Sequence, residues 1–299
     1  MKKLLFTGSS GFLGNNIRPL LQNEYETVHT LGLSPDDDVR INLASAIPQL
    51  DKRYDIVLHA CGKAHTVPRT DAEKKAFYDV NYQGTVNLCA ALEKVGVPKS
   101  LIFISTVAVY GCESGEMITE DHPLNGNTPY AESKKMAEAY LTEWCSKHDV
   151  ILGIMRPSLI AGVDAPGNLG AMVKGIKTGR YLSINHGKAR KSVLMAEDIA
   201  RLIPRLAEMG GIYNVCDSHN PSFGELEHLI ATQLNKKDPV SIPYWFANCL
   251  ALCGNLLGSK APINSLKLKK ITESLTFSNE KARKALNWEP LDVLRNYKI

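Results

Sequence analysis

Residues 7–14 read TGSSGFLG, between an apolar run, LLFT (4–7), and an amphipathic one, FLGNNIRPLLQN (12–23). Gly8, Gly11 and Gly14 therefore recur every third residue where a strand passes into a helix. Each has its own task. Gly8 permits the tight turn, Gly11 keeps a side chain out of the way of a pyrophosphate meeting backbone amides, and Gly14 lets the helix lie close to the sheet. Ser10, Phe12 and Leu13 complete the loop that would line a dinucleotide. The spacing differs from GxGxxG by one residue, and no GK[ST] follows, which excludes a Walker A loop.

The same strand–helix rhythm continues outward. TVHTL (27–31), DIVLHA (55–60), SLIFIST (100–106) and VILGIMR (150–156) are short, rich in Leu, Ile and Val, and bounded by Gly, Pro or polar residues. Helical patterns lie between them at 73–96 and 129–148; in the first, Phe77, Val80, Tyr82, Val86, Leu88, Cys89 and Leu92 recur at helical spacing. Repeated strand–helix–strand units predict a doubly wound, Rossmann-like parallel sheet in the α/β class, covered on both faces. After about residue 160 the pattern changes to loops such as AGVDAPGNLG (161–170), short helices, and a terminal helical run, SNEKARKALNW (278–288). The expected division is a dinucleotide-binding domain over 1–160 and a smaller mixed α/β substrate domain over 161–299, with room for interleaving.

Composition narrows the function classes. The 299 residues are 44% hydrophobic and 22% charged, with a net charge of +4 spread along the chain. This gives no reason to expect nucleic acid as partner. Seven cysteines (61, 89, 112, 145, 216, 249 and 253) form no CxxC pair, no zinc-finger spacing and no disulfide framework, so a reducing cytoplasm and no metal are expected. The apolar run behind Lys2 and Lys3 is too short for a signal peptide. IPYWFANCLALCGNLLG (242–258) is too short for a membrane span and is expected to form a buried or partly exposed helix, with monotopic membrane contact as the lesser alternative.

The second strand ends Leu31-Gly32-Leu33-Ser34, without the acid that commonly meets the ribose 2′-hydroxyl of NAD. Asp36, Asp37 and Asp38 follow and read as a solvated turn, while Ser34 or Arg40 could meet a 2′-phosphate. The choice between NAD and NADP stays open. Residues 130–134 read YAESK, with Tyr130 and Lys134 one helical turn apart on one face. Thr106 lies twenty-four residues before Tyr130, at the end of the fourth apolar run.

In their order along the chain, TGSSGFLG, DIVLHACGKAH, NYQGT, SLIFISTVAVYG, YAESK, RPSLIAG, KSVLMAEDIA and ALNWEP resemble the extended short-chain dehydrogenase/reductase superfamily, in its branch acting on nucleotide sugars. The resemblance implies a catalytic set of Thr106, Tyr130 and Lys134. Tyr130 would move a proton to or from the substrate oxygen, Lys134 would favour the phenolate and hold the nicotinamide ribose, and Thr106 would bond the carbonyl. Ala131, Glu132 and Ser133 are expected to serve the helix alone. It further implies that Asn42 and Leu43 meet adenine and that Ala60, Cys61 and Gly62 line the dinucleotide. Asn81, counted with the cofactor site, would brace the active-site backbone or a water, Pro157 and Ser158 would meet the nicotinamide amide, and Asn168, Arg190 and Lys191 would grip the substrate diphosphate. The run HGKARK (186–191) reads by itself as a solvated basic loop, and His65 as structural.

Dehydratases of this type carry Asp-Glu after the catalytic Thr. Val107 and Ala108 stand there, which disfavours dehydration. The chain looks most like bacterial 4-ketoreductases of UDP-linked deoxy-sugars in surface polysaccharide synthesis, with a 4-epimerase holding NAD as runner-up. A dinucleotide-sensing protein and a reductase of small ketones complete the alternatives. Apolar side chains on 72–95 and 130–147 permit a homodimer through paired helices.

Overall fold

The computed structural model describes residues 2–64, 66–255 and 263–299. The five short apolar runs become β1 (Lys3–Thr7), β2 (Thr27–Gly32), β4 (Ile56–His59), β5 (Ser100–Ile104) and β7 (Ile151–Pro157). A two-residue strand, β3 (Val39–Arg40), extends one edge. Two further short strands, β6 (Gly115–Ile118) and β8 (Leu159–Ala161), lie outside the main sheet. Later in the chain come β9 (Ser183–Ile184), β10 (Val193–Met195), β11 (Gly211–Val215), β12 (Ser241–Ile242) and β13 (Leu275–Phe277).

The main sheet has seven strands in the order β11-β7-β5-β4-β1-β2-β3, and every pairing is parallel. Strand order reverses beside β1: β2 and β3 build outward on one side, β4 onward on the other. Open parallel sheets bind ligands in the crevice at the carboxyl ends of such strands. The expected Rossmann-like α/β class is the one observed.

Alternation along β1 directs Leu4 and Phe6 to one face and Leu5 to the other. The first face is covered by α1 (Phe12–Glu24), through Ile17 and Leu21. The second is covered by α3 (Gly84–Val95), through Leu88 and Leu92, and by α4 (Pro129–Lys147), through Leu141 and Trp144. Ahead of α3 lies α2 (Asp71–Tyr78), capped by the reciprocal Thr70–Glu73 pair; residues Asp79–Gln83 join the two as a π-helical turn.

Residues beyond 160 enter both units. The α5 helix (Gly167–Lys177) belongs to a second core, whereas α6 (Ala196–Met209) packs Ile199, Ile203 and Leu206 on the first face of the main sheet, and β11 completes that sheet's edge. The remaining helices are α7 (Phe223–Gln233), α8 (Tyr244–Asn255), α9 (Ser265–Thr272), α10 (Glu280–Leu286) and α11 (Val293–Asn296). Leu169, Met172, Ile176, Leu226, Ile230 and Val293 fill the second core, where α5, α7 and α11 meet the β8–β10 pair. Two more parallel pairs, β6–β13 and β9–β12, tie distant segments together.

The helix expected over 242–258 runs over Tyr244–Asn255, and 256–258 lie outside the described residues, as does His65. Among the described residues no helix is long and apolar enough to cross a membrane, and all seven cysteines are free.

Candidate active site

The site forms where β5 ends and α4 begins. Thr106 lies two residues past β5; its hydroxyl accepts a hydrogen bond from Ala108 N–H at 3.1 Å and caps the short 3₁₀ turn Val107–Tyr110. Thr128 caps α4 in the same way, and Pro129 occupies its first turn, where no amide partner is needed. Tyr130 and Lys134 then follow on one face of α4.

Lys134 is buried, and its Nζ donates to the Ile104 carbonyl at 2.8 Å while lying 4.5 Å from the centroid of the Phe103 ring. Burial lowers its pKa to about 8. Tyr130 has its pKa raised by burial, partly offset by a hydrogen bond with the Thr106 hydroxyl. Thr106, Tyr130 and Lys134 thus converge at the carboxyl edge of the sheet. The phenol rests in its protonated form.

Behind them runs a buried polar relay, of which sequence reading singled out Asn81 alone. The His59 ring meets Thr7 Oγ1 at Nδ1 and Thr85 Oγ1 at Nε2, both at 2.8 Å. Thr85 Oγ1 donates to the Asn81 carbonyl at 2.7 Å, so it accepts from Nε2–H, and Thr7 Oγ1 donates to Nδ1. Burial, with Lys134 contributing, lowers the His59 pKa to about 3, which fixes the ring neutral. The Asn81 side chain continues the relay, accepting from Lys63 N–H at 2.7 Å and donating to Ser133 Oγ at 2.9 Å. Asn81 lies within the π-helical turn, which gives the helix a local widening common at functional sites.

These contacts correct one expectation. Ser133 and Glu132 do not serve α4 alone: Ser133 binds Asn81, and Glu132 accepts from Tyr78 Oη at 2.5 Å. A second buried cluster stands beside Thr106. Arg156 donates to Glu138 from Nε at 3.1 Å and from Nη2 at 2.6 Å, and from Nη1 to Tyr110 Oη at 3.0 Å. Ser105 Oγ also donates to Glu138. Glu138 is one turn beyond Lys134, so this cluster locks α4 to β5 and β7.

The glycine loop fits a dinucleotide. Gly8 has φ +80°, and a Cβ there would sit 2.7 Å from Cys61 N; at Gly11 a Cβ would meet only the Gly8 carbonyl oxygen at 3.4 Å, leaving its outward side open. Ser10 is exposed, while Phe12 and Leu13 pack partly on the two cores. Ala60 and Cys61 are half-buried beside Gly8, and Gly62 is exposed, with the position of its absent Cβ 3.2 Å from Lys134 Nζ. Pro157 ends β7. The next residue, Ser158, is buried, and its hydroxyl has no partner among the described residues, a polar group that a nicotinamide amide could meet. Asn42 is exposed after β3; the Leu43 side chain is core, leaving little of it for adenine.

The acidic run after β2 is not a solvated turn. Asp37 is buried, accepts from Ser9 Oγ at 2.6 Å and from Ser34 N–H at 2.9 Å, and its Oδ2 lies 2.4 Å from where a Gly32 Cβ would stand. Asp38 accepts from Thr30 N–H at 2.8 Å and from its hydroxyl at 2.9 Å. Only Asp36 is exposed without such bonds to the strand. Arg40 is exposed in β3.

Of the residues expected to meet the substrate diphosphate, Asn168 is exposed in the first turn of α5. Arg190 donates from Nη1 to the Asn220 carbonyl at 3.0 Å, and Lys191 from Nζ to the Glu273 carbonyl at 2.9 Å. Burial lowers the Lys191 pKa to about 8. The end of HGKARK is therefore tied into the fold and is not a freely solvated loop.

Known proteins resemble the chain in sequence and in fold. Residues 4–216 match the model of the NAD dependent epimerase/dehydratase family. The chain belongs to that family. It is 31% identical to the N-acetyl-α-D-glucosaminyl-diphospho-ditrans,octacis-undecaprenol 4-epimerase of Escherichia coli O157:H7, over 93% of this chain and 88% of that protein. It is 28% identical to the GDP-6-deoxy-D-mannose reductase of Pseudomonas aeruginosa, over 77% and 79% respectively. A structure of RMD from Pseudomonas aeruginosa complexed with NADPH superposes with a TM-score of 0.75 at 22% identity, covering 99% of this chain and 96% of that one, and supports the fold.

As a member of the epimerase/dehydratase family, the chain is an NAD(P)-dependent enzyme of the extended short-chain dehydrogenase/reductase type. Family members act on nucleotide sugars as epimerases, dehydratases and reductases. The signals that sequence reading passed over are in the chain all the same: His59 closes β4, and Glu138 repeats the Tyr130–Lys134 interval once more along α4.

Proposed function

We propose that the chain reduces the 4-keto group of a nucleotide-linked deoxy-sugar, with UDP as the nucleotide, in surface polysaccharide synthesis. The observation that carries this reading is the meeting of Tyr130 with Thr106 at the carboxyl edge of the sheet, where the phenol, its pKa raised by burial, can give a proton to a carbonyl oxygen. Val107 and Ala108 leave no acid–base pair for dehydration.

The glycine loop, Ala60–Gly62, Pro157 and Ser158 would hold the dinucleotide, which when bound supplies hydride to C4. Thr106 and Tyr130 donate hydrogen bonds to the C4 oxygen. As negative charge grows there, the phenolic proton moves to it, and Lys134, anchored on Ile104, stabilises the phenolate left behind. Asn81 and the His59 relay keep the Lys63 and Tyr130 segments in register. Asn168, Arg190 and Lys191 would meet the diphosphate. Asp37, folded back on Gly32 at the end of β2, would accept from a ribose 2′-hydroxyl and repel a 2′-phosphate there, which would favour NADH over NADPH. The half-exposed Tyr82–Tyr140 pair and exposed Met136 offer a face of the π-helical turn and α4 for a homodimer.

The second reading is 4-epimerisation with retained NAD. The E. coli relative favours it, and Asp37 suits a retained NAD. That relative's sugar is carried on undecaprenyl diphosphate, so the carrier is tested together with the reaction. The purified chain is incubated with NADH or NADPH and with UDP-linked and polyprenyl-diphosphate-linked sugars, as 4-keto and 4-hydroxy forms, and the products are weighed by mass spectrometry. Gain of two hydrogens by a UDP-linked 4-keto sugar is the expected result. An isomer of unchanged mass supports the epimerase, and no product from any of these substrates overturns both readings.

A further inference from the structure

Helix α8 is built the opposite way from an ordinary surface helix. Its buried stripe is Ala247, Ala251 and Gly254, packed toward Leu268 of α9. The large side chains point outward: Trp245 is 67% exposed, Leu252 55%, Tyr244 48% and Phe246 42%. Leu250, at 40%, continues the face, and Leu266 on α9 adds another 55% exposed side chain. α8 contains no charged residue at all. Apolar area of this kind on a soluble face marks a surface that something covers.

The charge around the patch indicates what covers it. Among the described residues of 239–272 there is no Asp or Glu, while Lys267, Lys269 and Lys270 fall within them. Lys269 and Lys270 are half exposed, and each approaches a carboxylate, Glu273 and Glu113, only at 4.0 Å. An isologous contact between two copies through this face would bring the two α9 lysine sets together, which like charge opposes. A bilayer carrying anionic headgroups offers the complementary arrangement. Its interface takes Trp and Tyr at headgroup depth and Phe and Leu slightly below, while its surface potential attracts the flanking lysines.

We infer that the α8–α9 face docks on an anionic lipid surface, so that the enzyme works as a peripheral membrane protein. Helix α9 also leads directly to the substrate side. Glu273 and Ser274, just past its end, bond Lys191 and the Arg190 amide. The inference does not depend on whether the chemistry is reduction or epimerisation.

Flotation of the full-length protein with phosphatidylcholine vesicles, with and without phosphatidylglycerol, tests it. Binding is expected to the phosphatidylglycerol vesicles, weakening as salt is raised, with a blue shift in tryptophan emission. Trp245 reports that shift because the other two tryptophans, Trp144 and Trp288, are only 5% exposed. W245S/F246S should cut the bound fraction by about tenfold with an unchanged melting temperature, and K269E/K270E should abolish the preference for phosphatidylglycerol. K269E/K270E, which leaves the apolar face intact, decides the matter if W245S/F246S folds poorly. The inference is overturned by absence from phosphatidylglycerol vesicles, by equal binding to pure phosphatidylcholine, or by unchanged flotation of folded W245S/F246S. Self-association that W245S/F246S abolishes, in place of vesicle binding, would assign the face to a protein partner and overturn it too.

Discussion

Lys134 holds the carbonyl oxygen of Ile104 at 2.8 Å, so the ammonium of α4 is anchored on the last residue of β5. Its position is set by the sheet before any ligand arrives. The cost is burial of a cation, visible in a pKa of about 8 against an ordinary 10.5. Below pH 8 the lysine is charged in both folded and unfolded chains, and the folded state bears the desolvation. Between about pH 8 and 10.5 the folded chain loses the proton first, so this group's contribution to stability rises by up to about 3 kcal/mol. Denaturant titrations across that range should show the rise in the wild type relative to Lys134→Met, which lacks the group. Parallel curves would mean that the ammonium is solvated.

His59 makes the opposite end of the pH range informative. Its folded pKa is about 3, well below the unfolded value near 6.5, so the stabilisation is complete above 6.5 and lost as pH falls toward 3. At pH 5 the expected loss is about 2 kcal/mol, from roughly 1.5 pH units at 1.36 kcal/mol each. His59→Gln should flatten that slope between pH 6.5 and 5 in urea unfolding experiments.

The Glu138–Arg156 pair is buried on both sides, with side chains 5% and 4% exposed. Arg156→Met alone strands a carboxylate beside Ser105 and should cost about 3–5 kcal/mol. The double change Glu138→Leu/Arg156→Met removes both charges and should recover most of that loss. A double-mutant cycle in guanidinium reads the coupling directly.

Asp37 should set the cofactor. Wild-type protein is expected to bind NADH more tightly than NADPH, and Asp37→Asn, of the same shape without the charge, should narrow that preference by about tenfold or more. Fluorescence titration with the two reduced dinucleotides measures the ratio. A ratio unchanged in Asp37→Asn would remove Asp37 from the adenosine site.

The parts of the fold legible in the sequence are those governed by local periodicity. The glycine loop is flanked by a strand and a helix because period two gives way to period 3.6 at Gly11, and the Tyr130–Lys134 interval fixes one helical face wherever α4 lies. What stayed hidden depends on contacts across the chain. Asp37 reads as solvent-facing until the Pro35 turn folds it back against Gly32 and Ser9. The π-helical turn at Asp79–Gln83 is masked by an apolar pattern that runs through it uninterrupted. Glu138 and Arg156 are 18 positions apart and on different elements, so neither announces its partner. β11 is five residues long and follows α6, where nothing local distinguishes an edge strand of the main sheet from a strand of the second unit.

Turnover by Tyr130→Phe tests the central claim most directly. This change deletes one hydroxyl at the site where Thr106 and the phenol meet. Reduction of a UDP-linked 4-keto-6-deoxy sugar should fall by about 10²–10⁴-fold while NADH affinity and melting temperature stay near wild type. Turnover within a few-fold of wild type would contradict the assignment of Tyr130 as the proton donor.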